Sequence, residues 1–167
     1  MNDPTLDRLV SIAANVLARL EERGLTLATA ESITGGLIGH ILTETPGSSR
    51  AYLGGVVAYH NRLKTTIGVP ARTLEEHGAV SDQTAVAMAR GVRDWAGADI
   101  GLATTGIAGP GGATDKKPVG LTFIGLADHR GADFQVLQLM GDRSSNKVET
   151  TEAALEFLLR RLRDKRR

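Results

Sequence analysis

The chain has 167 residues, enough for one domain with a sizeable core, and its 41% hydrophobic and 23% charged content is ordinary for a globular protein. It contains no cysteine, which excludes disulfides, thiolate metal sites and cysteine nucleophiles together. No apolar run reaches the about 20 residues of a membrane span, and Met1-Asn2-Asp3-Pro4 lacks the basic-then-apolar pattern of a secretory leader, so a cytoplasmic protein is expected.

Asp3-Pro4 predicts a helix start, an N-cap followed by proline at the first helical position. Leu6, Leu9, Val10, Ala13, Val16, Leu17 and Leu20 then recur at three- and four-residue spacing, an amphipathic helix closed by Gly24. Residues 25–29 read as the first strand and 35–43 as the helix after it. Pro46-Gly47-Ser48-Ser49 stops that helix and turns the chain. Residues 52–59 predict the next strand, in which Gly54 and Gly55 signal a bulge or a close backbone approach.

A short helix is expected over 61–67, ended by Gly68 and Pro70, with another helical turn over 73–77. Ser81 caps a longer helix through Trp95, with Ala85, Met88, Ala89, Val92 and Trp95 on one face. Residues 99–105 form a buried-type strand entering a loop over 106–118. Strands over 119–127 and 134–140 flank the turn Asp128-His129-Arg130-Gly131. The final helix runs from about Ser144, with Ala153, Ala154, Leu155, Phe157, Leu158 and Leu162 as its core face.

Residues 160–167 carry six positive charges and one negative against a whole-chain net charge of +1, so the rest is net negative. Such a tail can touch nucleic acid or anionic lipid. With no second basic cluster and 4% aromatics, the simpler reading is a helix C-terminus complemented by cations. Strands separated by helices imply parallel pairing, and the late hairpin adds an antiparallel element. The expected fold is α/β: a three-layer α/β/α sandwich with a mixed, mostly parallel sheet, occupying residues 1–167 as one domain.

Ligands of such sheets gather beyond the carboxyl ends of the strands, where Ser32, Tyr59 and Thr105 are placed. Ser32 sits at a strand-to-helix corner in Ala30-Glu31-Ser32-Ile33-Thr34-Gly35-Gly36, a position suited to an acyl-transfer nucleophile or a bound phosphate. Ordinary N-capping by Ser32 or Thr34 is the plainer alternative. Gly106-Ile107-Ala108-Gly109-Pro110-Gly111-Gly112 can wrap an anion in backbone N–H groups, although it matches neither a Walker loop nor a dinucleotide fingerprint. Asn61 and Lys64 share a face of the short helix. A lysine turned inward beside Ser32 can act as a general base if burial lowers its pKa, and an ordinary exposed lysine is the plainer alternative that spacing does not exclude. Histidines 40, 60, 77 and 129 lack metal-ligand spacing, and no Gly-x-Ser-x-Gly elbow supports a triad through His60. Gly141-Asp142-Arg143 offers either a guanidinium for a phosphate or a structural ion pair.

These segments, with Tyr59-x-Asn61-x-x-Lys64, His77-Gly78-Ala79-Val80-Ser81 and Lys117-Pro118-Val119-Gly120, follow one another in an order that resembles the CinA C-terminal domain family over residues 6–160. That family includes nicotinamide mononucleotide deamidases. The resemblance implies hydrolysis of a carboxamide to the acid and ammonia, nicotinamide mononucleotide becoming nicotinic acid mononucleotide in pyridine-nucleotide salvage. It implies no cofactor and no metal, and Ser32 as nucleophile with Lys64 as base, Tyr59 close by. In that scheme Thr34, Gly35 and Gly36 hold the oxyanion, and Tyr59 and Asn61 orient the lysine. Thr105, Gly106 and Gly109 cradle the ribose phosphate with Arg143 as charge partner.

The expected partner is this small-molecule substrate, with no membrane and no nucleic acid, and with a homo-oligomer left open. The stand-alone form is expected, without the N-terminal pyrophosphatase domain that family members often carry. The chain departs from the family pattern at Ile33, where cysteine is usual, and at His60, where serine is usual. Arg62 and Leu63 replace an acidic residue and alanine, and Lys147 stands where a second arginine is common. The alternative function is a catalytically weak nucleotide-binding or regulatory domain linked to competence or DNA damage.

Overall fold

The computed structural model describes residues 4–163; the expected cap Asp3 and the end of the basic tail, 164–167, lie outside them. Helix α1 (Pro4–Glu22) buries Leu9, Ala13, Val16, Leu17 and Leu20, the stripe its spacing demands. It stops at Gly24, where the Leu25 N–H closes back on the Leu20 carbonyl at 2.9 Å. Then come β1 (Leu27–Glu31), α2 (Leu37–Thr43), a turn of 3-10 helix (Ser48–Arg50) and β2 (Tyr52–Val57). Helices α3 (Asn61–Thr66), α4 (Ala71–His77) and α5 (Asp82–Ala96) lead to β3 (Ile100–Gly106). The hairpin β4 (Leu121–Asp128) and β5 (Gly131–Gln138) precedes α6 (Arg143–Arg163).

The five strands form one sheet in the order β2-β1-β3-β4-β5. β1 pairs in parallel with both β2 and β3, while β4 is antiparallel to β3 and to β5. Four strands therefore run the same way and β4 alone is reversed, the mixed and mostly parallel sheet the sequence predicts. Alternation along the strands sorts the side chains between two cores. Leu27, Ile100, Leu102, Ile124 and Leu126 pack with α1, α2 and α6. Ala28, Ala30, Ala103 and Ala127 face Met88, Ala89 and Val92 of α5. The second face is made of small residues because α5 lies directly on the sheet. A Cβ at Gly101 would run into the Ala89 carbonyl, and one at Gly125 into that of Ala85.

Several expected boundaries move. β1 begins and ends two residues later than expected, which brings Glu31 into the strand. α2 starts at Leu37 because Gly35 and Gly36 take left-handed conformations, with φ of 62° and 98°, and turn the chain instead. β5 starts at Gly131, since a tight His129-Arg130 turn lets Asp128 pair with Gly131 directly. The bulge expected in β2 is real: Leu27 pairs with Tyr52 and Ala28 with Gly54, which skips Leu53. Trp95 is 60% exposed and is not part of the α5 core face. Ala153 and Phe157 are half-buried.

One buried carboxylate ties the hairpin to α6. Asp128 is 3% exposed and accepts from Arg161 at 2.8 and 2.9 Å and from Arg130 at 3.0 and 3.1 Å. Burial alone would raise its pKa, but the two guanidiniums hold it well below the usual carboxylate range. Arg160 donates to Gln135 Oε1 at 2.6 Å. The first two arginines of the basic tail thus have structural partners.

Candidate active site

β1, β2 and β3 end at the same edge of the sheet, and the chain leaves each through a residue of the site. After β1 the Ser32 N–H makes one more ladder bond, to Thr104 O at 2.9 Å, and the chain turns into α2. After β2 the chain passes Ala58 and Tyr59 into α3, whose second turn carries Lys64. β3 ends in Thr105 and Gly106. Arg143 opens α6 beyond the end of β5.

Lys64 is 1% exposed, and no carboxylate among the described residues pairs with it. Its Nζ donates to the carbonyls of Ala58 (2.7 Å) and Tyr59 (3.0 Å), and lies 3.2 Å from Ser32 Oγ. Burial without a counter-charge lowers its pKa to about 8. A neutral amine has two hydrogens and one lone pair. The two carbonyls take the hydrogens, which leaves the lone pair for the Ser32 hydroxyl.

The turn after Ser32 differs from the expectation in one respect. The Gly35 N–H is bonded to Ser32 O at 3.1 Å and the Gly36 N–H to Glu31 Oε2 at 3.0 Å, so neither faces a ligand. Among the described residues, the amides of Ile33 and Thr34 have no hydrogen-bond partner. They belong to the two residues that follow Ser32, and Ile33 lines the same cavity as Ser32. The Thr34 hydroxyl is engaged with Glu31 at 2.7 Å and Thr104 at 2.9 Å. Lys147 lies over this turn, its Nζ 3.4 Å from where a Gly35 Cβ would stand.

Tyr59 supports Lys64 through its carbonyl; its phenol accepts from Arg143 at 3.0 Å instead. Asn61 lines the cavity, but no hydrogen bond joins it to Lys64 among the described residues. The Thr105 hydroxyl donates to Ala79 O at 2.7 Å, fixing the 78–81 loop over the site. Gly106 has no room for a side chain: a Cβ would meet Ile33 Cδ1 at 2.8 Å and Thr122 Oγ1 at 2.7 Å. Gly109 presents its carbonyl, which accepts from Arg143 at 2.9 Å. The guanidinium therefore bridges the glycine loop and Tyr59. Asn146, fully buried and not singled out by the sequence, pins the same loop by donating to Ala108 O (3.1 Å) and Gly141 O (3.0 Å).

Ser32, Lys64, Tyr59, Asn61, Thr105 and Arg143 line one cavity of about 200 Å³, with Ile33, Ala79 and Val80 as its apolar wall. Ala108 and Arg143 also border a neighbouring cavity of about 520 Å³, which runs along Gly109, Pro110 and Ser144 at the start of α6. A groove of about 660 Å³ beside Trp95 includes neither Ser32 nor Lys64. His60 caps α3 by accepting from the Arg62 N–H at 3.2 Å, and His60, Arg62 and Leu63 all lie on the exposed side of that helix.

The CinA C-terminal domain model matches residues 9–162. The chain belongs to the CinA C-terminal domain family. A putative competence-damage inducible protein of Halothermothrix orenii is 51% identical over 149 residues, which cover 86% of this chain and 35% of that one. A CinA-like protein of Synechocystis is 49% identical over 91% of this chain and 38% of its own length. The chain thus spans little more than a third of these curated relatives. Among solved structures, a competence/damage inducible protein of Agrobacterium tumefaciens superposes with a TM-score of 0.89 at 38% identity, over 93% of this chain and 96% of that one. The CinA relationship therefore covers the sheet, the Ser32 turn, α3 and the glycine loop together. No helix among the described residues is long and apolar enough to cross a membrane.

Proposed function

We propose that this CinA-family chain is an amidohydrolase that converts nicotinamide mononucleotide and water to nicotinic acid mononucleotide and ammonia, through an acyl-enzyme on Ser32. The observation that carries the reading is the buried, unpaired Lys64 with Nζ 3.2 Å from Ser32 Oγ at a cavity wall. A lysine is rarely buried without a counter-charge unless its neutral form is used. The resemblance of the motifs to deamidases supplies the substrate.

Neutral Lys64 takes the Ser32 proton while Oγ attacks the carboxamide carbon. The carbonyl electrons move onto oxygen, which is held by the amides of Ile33 and Thr34; each such donor contributes about 3 kcal/mol to lowering the barrier. Lys64 returns the proton to the amide nitrogen, the C–N bond breaks and ammonia leaves. Water then attacks the ester, giving its proton to Lys64. The C–Oγ bond breaks, and Ser32 recovers a proton. Arg143 and the start of α6 meet the phosphate, and the apolar wall of Ile33, Ala79 and Val80 meets the pyridine ring.

Ammonia release from nicotinamide mononucleotide by the purified protein tests the reading. A second reading is a catalytically weak nucleotide-binding or regulatory domain; the relatives, described as competence-damage inducible proteins, favour only its link to competence or damage. Tight nucleotide binding without ammonia release would favour it.

A further inference from the structure

Glu31 ends β1 and is 2% exposed. No cation neutralises it among the described residues; four donors do. Oε2 accepts from the Thr34 hydroxyl (2.7 Å) and from the amides of Gly36 and Ile38 (each 3.0 Å), and Oε1 accepts from the Gly39 amide at 2.8 Å. Three of these donors are the otherwise orphaned amides at the start of α2. The carboxylate therefore occupies the helix N-terminus from within the fold. A Cβ on Gly39 would stand 3.5 Å from Glu31 Oε1 and 3.0 Å from Tyr52 Oη.

The consequence falls on the Ser32 turn. With Gly36 and the Thr34 hydroxyl tied to Glu31, and Gly35 tied to Ser32 O, the Ile33 and Thr34 amides are the donors left over. We propose that Glu31 is a positioning residue that holds the Ile33 and Thr34 amides in place as the oxyanion site. This rests on the assignment of Ser32 as nucleophile. Glutamine has the same shape but must turn an N–H toward one side of the donor set, so at least one of the four bonds is lost and two donors oppose each other.

The test is the rate at which a fluorophosphonate probe labels Ser32, followed by intact mass. The Oγ–P bond forms, the P–F bond breaks, fluoride leaves and the proton passes to Lys64, so the step needs the nucleophile and the amides but not the natural substrate. Glu31→Gln is expected to slow labelling about 10- to 100-fold, below the loss seen on deleting an oxyanion donor outright. Ammonia release should show kcat reduced to match and KM within about twofold, with the alkaline rise near pH 8 unmoved because Lys64 keeps its contacts. Thr34→Val, which removes the hydroxyl bond but keeps the amide, should slow labelling in the same direction by a smaller factor. It decides the question if Glu31→Gln does not fold. Folded Glu31→Gln protein (or, in its place, Thr34→Val) labelling at the wild-type rate overturns the proposal. Failure of the wild-type protein to label at Ser32 instead overturns the nucleophile assignment, and the Glu31 role with it.

Discussion

Lys64 Nζ stands 3.2 Å from Ser32 Oγ, although the two residues are 32 positions apart and belong to different crossover connections. The sheet makes the pair: β1 and β2 are parallel neighbours, so the turn after one and the helix after the other emerge side by side. The pH dependence follows. With the Lys64 pKa lowered to about 8 by burial, the neutral base is about one tenth of the protein at pH 7. The rate of ammonia release should rise about tenfold per pH unit below 8 and level off above it. Lys64→Arg, permanently charged, should abolish turnover at every pH.

The same burial costs stability. Below pH 10.5 the unfolded chain protonates this lysine, whereas the folded chain does so only below about 8, so stability rises with pH between those values. At pH 7 the penalty is about 3 kcal/mol, part of which is offset by the two carbonyl bonds. Lys64→Met is therefore expected to raise the unfolding free energy by about 1–2 kcal/mol at pH 7, with the gain shrinking toward pH 10.5. Urea melts at several pH values measure this.

Tyr59 and Arg143 separate two functions that the motif alone runs together. The backbone of Tyr59 holds Lys64, and its phenol only steadies Arg143. Tyr59→Phe should thus keep kcat and raise KM no more than about fivefold, because the lost bond to the guanidinium is exposed to solvent. Arg143→Ala should raise KM about 10- to 100-fold with kcat little changed, because a charge-assisted contact to the phosphate is lost. Steady-state kinetics on both variants check the order.

Much of this site is legible in the sequence. Spacing puts Asn61 and Lys64 on one face of the 61–66 helix but does not say that this face is the buried one. The fold turns Lys64 inward and leaves Arg62 and the apolar Leu63 outside, which for Lys64 and Leu63 runs against their polarity. What the sequence does not show is which amides are already engaged. Reading β1 as 25–29 leaves Glu31 in a loop; shifting the strand to Leu27–Glu31 aims its carboxylate at the start of α2, where it takes the Gly36 N–H, while the Gly35 N–H goes to Ser32 O within the turn. Trp95 fits the helical period of α5 but is 60% exposed, because nothing among the described residues packs over the end of the helix there, which periodicity cannot report.

Asn146 makes a separate claim on the glycine loop. Its amide nitrogen bonds Ala108 O and Gly141 O, and its oxygen accepts from the Gly141 N–H at 3.1 Å. Asn146→Ala removes the partner of one buried backbone group, Ala108 O, and of two half-buried ones on Gly141, and is expected to cost about 2 kcal/mol of stability. KM should rise as the 106–112 loop loosens, while Lys64 and the pH profile stay as they were. Denaturant unfolding and kinetics on the same preparation read both effects.

Asp128 is a stability site far from the chemistry. Asp128→Asn should cost about 2–3 kcal/mol, since Arg130 and Arg161 lose a shared carboxylate. The wild-type contribution is fully present above the unfolded aspartate pKa, near 4, and fades only as the pH falls toward the depressed folded value. The difference between variant and wild type should therefore be constant at neutral pH and shrink in strong acid.

Acyl transfer from Ser32 to water, with Lys64 as base, stands or falls on one assay. Ammonia release from nicotinamide mononucleotide by wild-type and Ser32→Ala protein, both confirmed folded by thermal melting, tests it most directly. Turnover by the wild type and a loss of at least about 1000-fold in the variant are expected. Turnover retained in Ser32→Ala, or absent from the wild type, would contradict it.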